Sequence, residues 1–245
     1  MTGWVQVAGL GPGDDALVTA QVHAALDQAT DIIGYIPYVA RVTARPGLVL
    51  HPSDNRVELD RAHHALDLAG QGRRVVIVSS GDPGVFAMAS ALFEALETHS
   101  GPHPDIQILP GITAMLAASA KVGAPLGHDF CAINLSDNLK PFALIEKRLR
   151  HAAQGDFAMG FYNPRSKSRP EGFARVLQIL REECAPERII IFARSVSTPQ
   201  ETIRVVPLAD ATPEMADMRT VVLVGNSQTR RVGDWVYTPR FAAAP

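Results

Sequence analysis

Short apolar, β-branched runs alternate along this chain with longer Ala/Leu-rich amphipathic segments, and the first run ends directly in Gly9-Leu10-Gly11-Pro12-Gly13-Asp14. That alternation is the strongest constraint on the fold. A buried parallel strand reads as a short continuous apolar run, and a crossover helix must follow it before the next parallel strand can form. The runs at 4–8, 31–35, 75–79, 106–109, 130–134, 156–162, 188–193, 203–207 and 220–225 are expected strands. The segments 16–29, 58–69, 84–98, 112–122, 141–153 and 171–184 are expected helices, the first capped by Asp14 or Asp15. The pattern predicts an α/β fold. Up to about Pro110 each strand is followed by a helix. Beyond Val122 the strands crowd together, and 203–207 reaches 220–225 through a loop alone. We therefore expect two domains, 1–111 with a mostly parallel sheet and 112–245 with a mixed one. Met1-Thr2-Gly3-Trp4-Val5 reads as a strand start without the basic and apolar regions of a signal peptide, and 241–245 as a frayed tail.

Composition excludes several function classes. A net charge of -2 supplies no field toward nucleic acid or membrane, and no apolar run is long enough to span a bilayer. Cys131 and Cys184 lie far apart, form no Cys-x-x-Cys pair and fit a cytoplasmic protein with two structural thiols. The eight histidines show no metal-ligand spacing, and His63-His64, being adjacent, would diverge on a helix. No metal is expected.

Three glycine-bearing loops follow strands. In Gly9-Leu10-Gly11-Pro12-Gly13-Asp14 the third glycine comes one residue too early for a dinucleotide loop, and Pro12 removes an amide donor. It reads as a ligand-facing turn, although a tight strand–helix turn would account for it equally well. Ser79-Ser80-Gly81-Asp82-Pro83-Gly84-Val85-Phe86 is the second such loop, with helix capping as the plain role for Asp82. Pro110-Gly111-Ile112-Thr113-Ala114 is the third, where Thr113 either caps or donates to a ligand. Open α/β sheets bind ligands at the carboxyl ends of parallel strands, so the recurrence of such loops points to a small-molecule floor. Later polar clusters are His128-Asp129, Asn134-Leu135-Ser136-Asp137-Asn138 and Tyr162-Asn163-Pro164-Arg165-Ser166-Lys167-Ser168-Arg169. In the last, three cations at alternate positions repel unless an anion sits among them.

These loops, in this order, resemble the tetrapyrrole methylases, a two-domain α/β family with a GxGPGD loop, a GDP loop, a PGI or PGV turn and a glycine near the last strand. The matching residues are 9–14, Gly81-Asp82-Pro83, Pro110-Gly111-Ile112 and Val224-Gly225-Asn226, so the likeness runs nearly end to end. Gly34-Tyr35 followed by Tyr38-Val39, Pro125-Leu126-Gly127-His128-Asp129-Phe130, Leu135-Ser136-Asp137, Ile145-Glu146-Lys147-Arg148-Leu149 and Tyr162-Asn163-Pro164-Arg165-Ser166-Lys167 are similar to the branch that methylates C17 of a corrin precursor. The uroporphyrinogen methylases usually carry Gly-Gly-Asp-Pro-Phe, where this chain has Ser80 and Gly84.

The resemblance implies S-adenosylmethionine folded in a cleft between the domains, held by Pro12, Ser80, Gly81, Asp82, Val85, Thr113, Ala114, Tyr162, Ser195 and Gly225. It implies direct methyl transfer to precorrin-3B with ring contraction to precorrin-4, and a cytoplasmic homodimer without nucleic-acid or membrane partners. Ring contraction needs a hydroxyl proton removed and a leaving carboxylate assisted, and His128, Asp129 and Asp137 are the candidates; bracing of their own loops is the plain alternative. Arg165, Lys167 and Arg169 are the candidates for the substrate's carboxylates. Other readings are a methylase for another precorrin, a cobalt-precorrin or a protein side chain, a nucleotide-binding oxidoreductase, and a non-catalytic binding module.

Overall fold

The structure, a computed structural model, describes residues 3–54 and 57–241. Met1 and Thr2 of the expected strand start, and 242–245 of the expected tail, lie outside the described residues. The chain forms two compact units, Met1–Thr113 and Ala114–Pro245.

The first unit holds β1 (Trp4–Gly9), β2 (Asp31–Tyr35), β3 (Val49–Ser53), β4 (Arg74–Ser79) and β5 (Asp105–Leu109), ordered β3-β2-β4-β1-β5. Every pairing is parallel. Helices α1 (Ala20–Gln28), α2 (Ile36–Val39), α3 (Glu58–Gly70) and α4 (Met88–Thr98) cover it. Successive side chains of a strand point to opposite faces. Val75 and Ile77 accordingly pack with Leu66 and Leu92 of α3 and α4, and Val76 and Val78 with Val22 and Ala25 of α1. Along β2 and β4 both faces are dry, which is why these strands read as near-continuous apolar runs.

Three expectations change here. The helix expected over 16–29 begins at Ala20, with Thr19 as its cap accepting from the Val22 amide. Asp14 instead caps a separate 3-10 turn, Asp15–Leu17, accepting from the Ala16 amide at 2.9 Å. The helix expected over 84–98 starts at Met88, because 81–87 is taken up by the glycine-bearing loop. β3 was unforeseen; Pro52 breaks its apolar run and is tolerated because β3 is an edge strand.

The second unit begins with α5 (Ala114–Val122) and β6 (Gly123–Ala124). Its main sheet comprises β7 (Phe130–Asn134), β8 (Ala158–Tyr162), β9 (Ile189–Arg194), β10 (Thr202–Pro207) and β11 (Thr220–Val224), ordered β10-β9-β11-β8-β7. β7 and β8 are parallel and the other pairs antiparallel, giving the mixed sheet expected. Helices α6 (Phe142–Gln154) and α7 (Gly172–Glu183) bury Ile145, Leu149, Phe173 and Leu177 against Met159, Phe161, Phe192 and Val222. β12 (Arg230–Val232) and β13 (Trp235–Tyr237) close a small sheet with β6, which the sequence did not suggest. No helix among the described residues is long and apolar enough to cross a membrane.

Candidate active site

In the first unit, β4, β1 and β5 are neighbours, so the three glycine loops leave the same sheet edge side by side. They touch backbone to backbone. Gly11 and Gly81 form an antiparallel bridge, Gly11 N–H donating to Gly81 O at 3.2 Å and Gly81 N–H to Gly11 O at 2.9 Å. Both are left-handed, with φ of 65° and 63°, a region where a side chain is costly. A Cβ on Gly9 would lie 2.6 Å from Gly81 O and 2.8 Å from Gly111 Cα. Asp82 ties the loops, Oδ1 accepting from the Gly84 amide at 2.8 Å and Oδ2 from the Gly111 amide at 3.0 Å. It does not cap α4, whose first turn follows Ala87 and has no side-chain cap.

Several neighbours complete this edge. Arg41, which sequence reasoning missed, donates to Leu10 O at 2.7 Å and lies 3.5 Å from Asp15. No local pattern marks it, because it reaches back thirty residues. Burial, helped by Tyr35, holds the Tyr38 phenol above its ordinary pKa against the pull of Ser80, Arg61 and Arg41. Pro12, Ser80 and Val85 are half-buried on these loops, and Thr113 is buried. Phe86, left-handed at φ 55°, leaves nearly half its surface open.

In the second unit, strand direction sorts the candidates between two ends of the main sheet. Asn134 pairs with Tyr162, Phe161 with Val222, and Arg194 with Thr220. Tyr162, Asn163, Asp137 and Ser195 therefore share one end. His128 and Asp129 precede β7 and Gly225 follows β11, so these three share the other end. Five strand residues separate the ends by about 16 Å. The structure therefore does not bring His128 and Asp129 together with Asp137, nor Gly225 with Tyr162 and Ser195.

At the first end, the Tyr162 hydroxyl accepts from the Met115 amide at 3.1 Å, beside Ala114. Asn134 Oδ1 accepts from the Ser136 amide at 2.9 Å and from Asn163 Nδ2 at 3.1 Å. Ser195 and Ser197 are both left-handed, with φ of 49° and 60°. Such strain in non-glycine residues persists only where the surroundings impose it. Here Ser197 N–H donates to Glu201 Oε2 at 2.6 Å, and the Thr198 hydroxyl to Ser195 O at 2.8 Å. The Ser197 Oγ is buried with no hydrogen-bond partner among the described residues. A buried polar atom left unsatisfied costs free energy that a bound ligand can recover. The sequence signal for Ser197 was only its closeness to Ser195.

The proposed substrate cations diverge. Arg165 Nε donates to Pro170 O at 3.2 Å, and Lys167 is exposed. Arg169 turns inward, its side chain 13% exposed, 3.7 Å from Asp137 Oδ1 and donating weakly to Leu135 O and Asn163 O. Arg169 thus braces the Asp137 loop.

At the far end, His128 Nδ1 lies 3.7 Å from Asp129 Oδ2, on a small pocket of about 160 Å3 that Asp156 and Asn226 also line. Gly225 O accepts from Arg188 at 3.1 Å, and a Cβ on Gly225 would meet Thr229 at 2.5 Å. These contacts make Gly225 a turn residue packed under its own loop. Cys131 and Cys184 are free, and burial raises both thiols.

A family model described as tetrapyrrole (corrin/porphyrin) methylases matches residues 5–212. The chain is 46% identical, over 99% of its length and 98% of the relative's, to a precorrin-3B C(17)-methyltransferase of a Sinorhizobium species. It is 46% identical over 98% of its length to the cobalamin biosynthesis protein CobIJ of Mycobacterium bovis, but spans only 48% of that longer chain. Among solved structures, the methyltransferase CobJ superposes with a TM-score of 0.95 at 76% identity, covering 97% of this chain and all of the other.

Proposed function

The chain belongs to the tetrapyrrole (corrin/porphyrin) methylases, and on that premise we propose that it transfers a methyl group from S-adenosylmethionine to C17 of precorrin-3B, with contraction of the ring to precorrin-4, in cobalamin biosynthesis. The observation that carries this reading is the likeness to the C17 methyltransferases along nearly the whole of both chains.

When bound, S-adenosylmethionine supplies an electrophilic methyl group open to direct attack by an enamine-like ring carbon. The chain's own residues need only position it and exclude water, and positioning alone can supply up to ~7–11 kcal/mol of barrier reduction. We assign that work to Pro12, Ser80, Gly81, Asp82 and Val85 on the first two loops, to Thr113 and Ala114 after the third, and to Tyr162 and Ser195. Ser197 joins them, because its buried, unpartnered Oγ offers a ligand a hydrogen bond. The fit of the donor to these residues is further supported by the left-handed backbone at Gly11 and Gly81 within the first unit and, separately, at Ser195 and Ser197 within the second. We set Gly225 aside as a structural turn. Of the three acid–base candidates we favour Asp137, which shares its sheet end with Tyr162 and is oriented by Arg169. His128 and Asp129 then serve their own loop. Of the three cations of that segment, we assign Arg165 and Lys167 to the substrate carboxylates. A homodimer working in the cytoplasm completes the proposal.

The test is a mass spectrum of the tetrapyrrole after incubation of the purified protein with precorrin-3B and methyl donor. The expected product is one methyl group heavier and ring-contracted. Recovery of unchanged precorrin-3B, with turnover of a different precorrin, would move the reading to another branch.

A further inference from the structure

Beyond the residues discussed so far, the second unit carries a cationic lip around the loop that links β7 to α6. Lys140 closes this loop by donating from Nζ to Ser136 O at 3.0 Å. Burial, then Arg148, then Arg169 depress its pKa, with Asp137 acting in the opposite sense. Lys140 therefore lies within electrostatic reach of both Arg148 and Arg169, and Asp137 is the carboxylate that acts on it in return. That carboxylate is already shared, since Asp137 lies 3.7 Å from Arg169. Arg148 is exposed on α6 and has no ion-pair or hydrogen-bond partner among the described residues. Crowded like charges without counter-charges raise the energy of the free protein, and an anionic ligand relieves them. Leu139, the residue before Lys140, projects from the loop with 99% of its surface exposed. A large apolar side chain held fully in water next to a lysine matches a ligand that is apolar on its face and anionic at its rim.

We propose that Lys140 and Arg148 bind a side-chain carboxylate of the tetrapyrrole and that Leu139 lies against the macrocycle face. This deepens the proposed function and rests on it for the identity of the ligand. The exposed arginine offers a planar fork to the carboxylate, and the lysine a mobile point charge. Arg169 contributes no direct bond, because its guanidinium is engaged with Leu135 O, Asn163 O and Asp137.

The experiment uses the full chain and two stable probes, a corrin heptacarboxylate and its heptamethyl ester, titrated calorimetrically. Wild type should bind the acid more tightly than the ester. Lys140→Met and Arg148→Met should each weaken the acid by about fivefold, the effect of one partly exposed ion pair, and leave the ester unchanged. Lys140→Arg should retain acid binding. Leu139→Ser should weaken acid and ester alike. S-adenosylmethionine affinity and melting temperature should stay at wild-type values in all four. Equal binding of acid and ester by wild type, no acid binding, or a Lys140→Met/Arg148→Met double variant that binds the acid like wild type would each overturn the proposal. Turnover separates the two claims. If wild type fails to methylate precorrin-3B while acid binding still depends on Lys140 and Arg148, the reaction is misassigned and the lip stands. If wild type turns over and the double variant keeps its KM, the lip alone fails.

Discussion

Replacing Gly111 by alanine adds one carbon at the point where the three strand-end loops meet. That carbon would sit 2.2 Å from Gly81 O and 2.7 Å from Gly9 O, both backbone atoms that no side-chain rotation can move aside. Ordinary van der Waals contact requires about 3.5 Å, so the loops must part by roughly 1 Å. Overpacking of this type costs about 1–3 kcal/mol. The movement also stretches the 3.0 Å bond from the Gly111 amide to Asp82, a hydrogen bond to a charged group that contributes about 1.5–3 kcal/mol. A total near 3 kcal/mol should lower the melting temperature by about 6–12 °C. Because the same loops carry Ser80, Gly81 and Asp82, calorimetry should show at least about a tenfold loss of S-adenosylmethionine affinity, or about 1.4 kcal/mol. Gly70→Ala is the control: nothing lies within 4 Å of its added carbon at the end of α3, so it should stabilise by up to about 1 kcal/mol. A Gly111→Ala protein that melts within about 2 °C of wild type and keeps its donor affinity would refute the claim that these loops form one ligand floor.

Other perturbations test separate parts of the structure. Asp31, 1% exposed, is pushed up by burial but held below the ordinary carboxylate range by bonds from Arg73 at 2.7 Å, His51 at 2.9 Å and Thr30 at 2.7 Å. A depressed folded value means its contribution is complete above the unfolded pKa of about 3.9 and fades as pH falls through the folded one. Asp31→Asn should therefore cost about 2–3 kcal/mol in urea unfolding at neutral pH, and the gap from wild type should close in strong acid; a gap independent of pH would contradict the pairing. Ser197→Ala should slightly stabilise the free protein by removing an orphaned hydroxyl, yet weaken S-adenosylmethionine by about tenfold, and loss of stability with unchanged affinity would assign Oγ to the fold. Arg165→Ala should raise KM for the tetrapyrrole, more at low ionic strength than at moderate, and leave donor affinity unchanged; equal loss of both ligands would make Arg165 a structural residue.

Most of the strands and longer helices of both main sheets were readable from residue types alone. Runs such as Val75-Val76-Ile77-Val78 are buried on both faces, and only a covered parallel sheet calls for that composition. The glycine loops were equally visible, because the backbone must turn sharply where β1 and β4 end. Local features without a strong apolar signal escaped: β3 is interrupted by His51 and Pro52, and α1 yields its first turn to a 3-10 segment. The mutual contact of Gly9, Gly81 and Gly111 could not be read, since nothing local records that β1 lies between β4 and β5.

The same limit explains the functional candidates. His128, Asp129, Asp137, Tyr162, Ser195 and Gly225 all flank strands, and flanking a strand is a one-dimensional property. Which end of the sheet each occupies depends on whether its strand runs with or against its neighbours. β7 and β8 run together, so Asp137 falls at the same sheet end as Tyr162. β11 runs against β8, so Gly225 is carried to the far end, the one His128 occupies. A strand's residues specify that it will be buried and which faces it presents. Its direction is set by the partner that supplies its hydrogen bonds, and that partner is chosen only when distant segments pack.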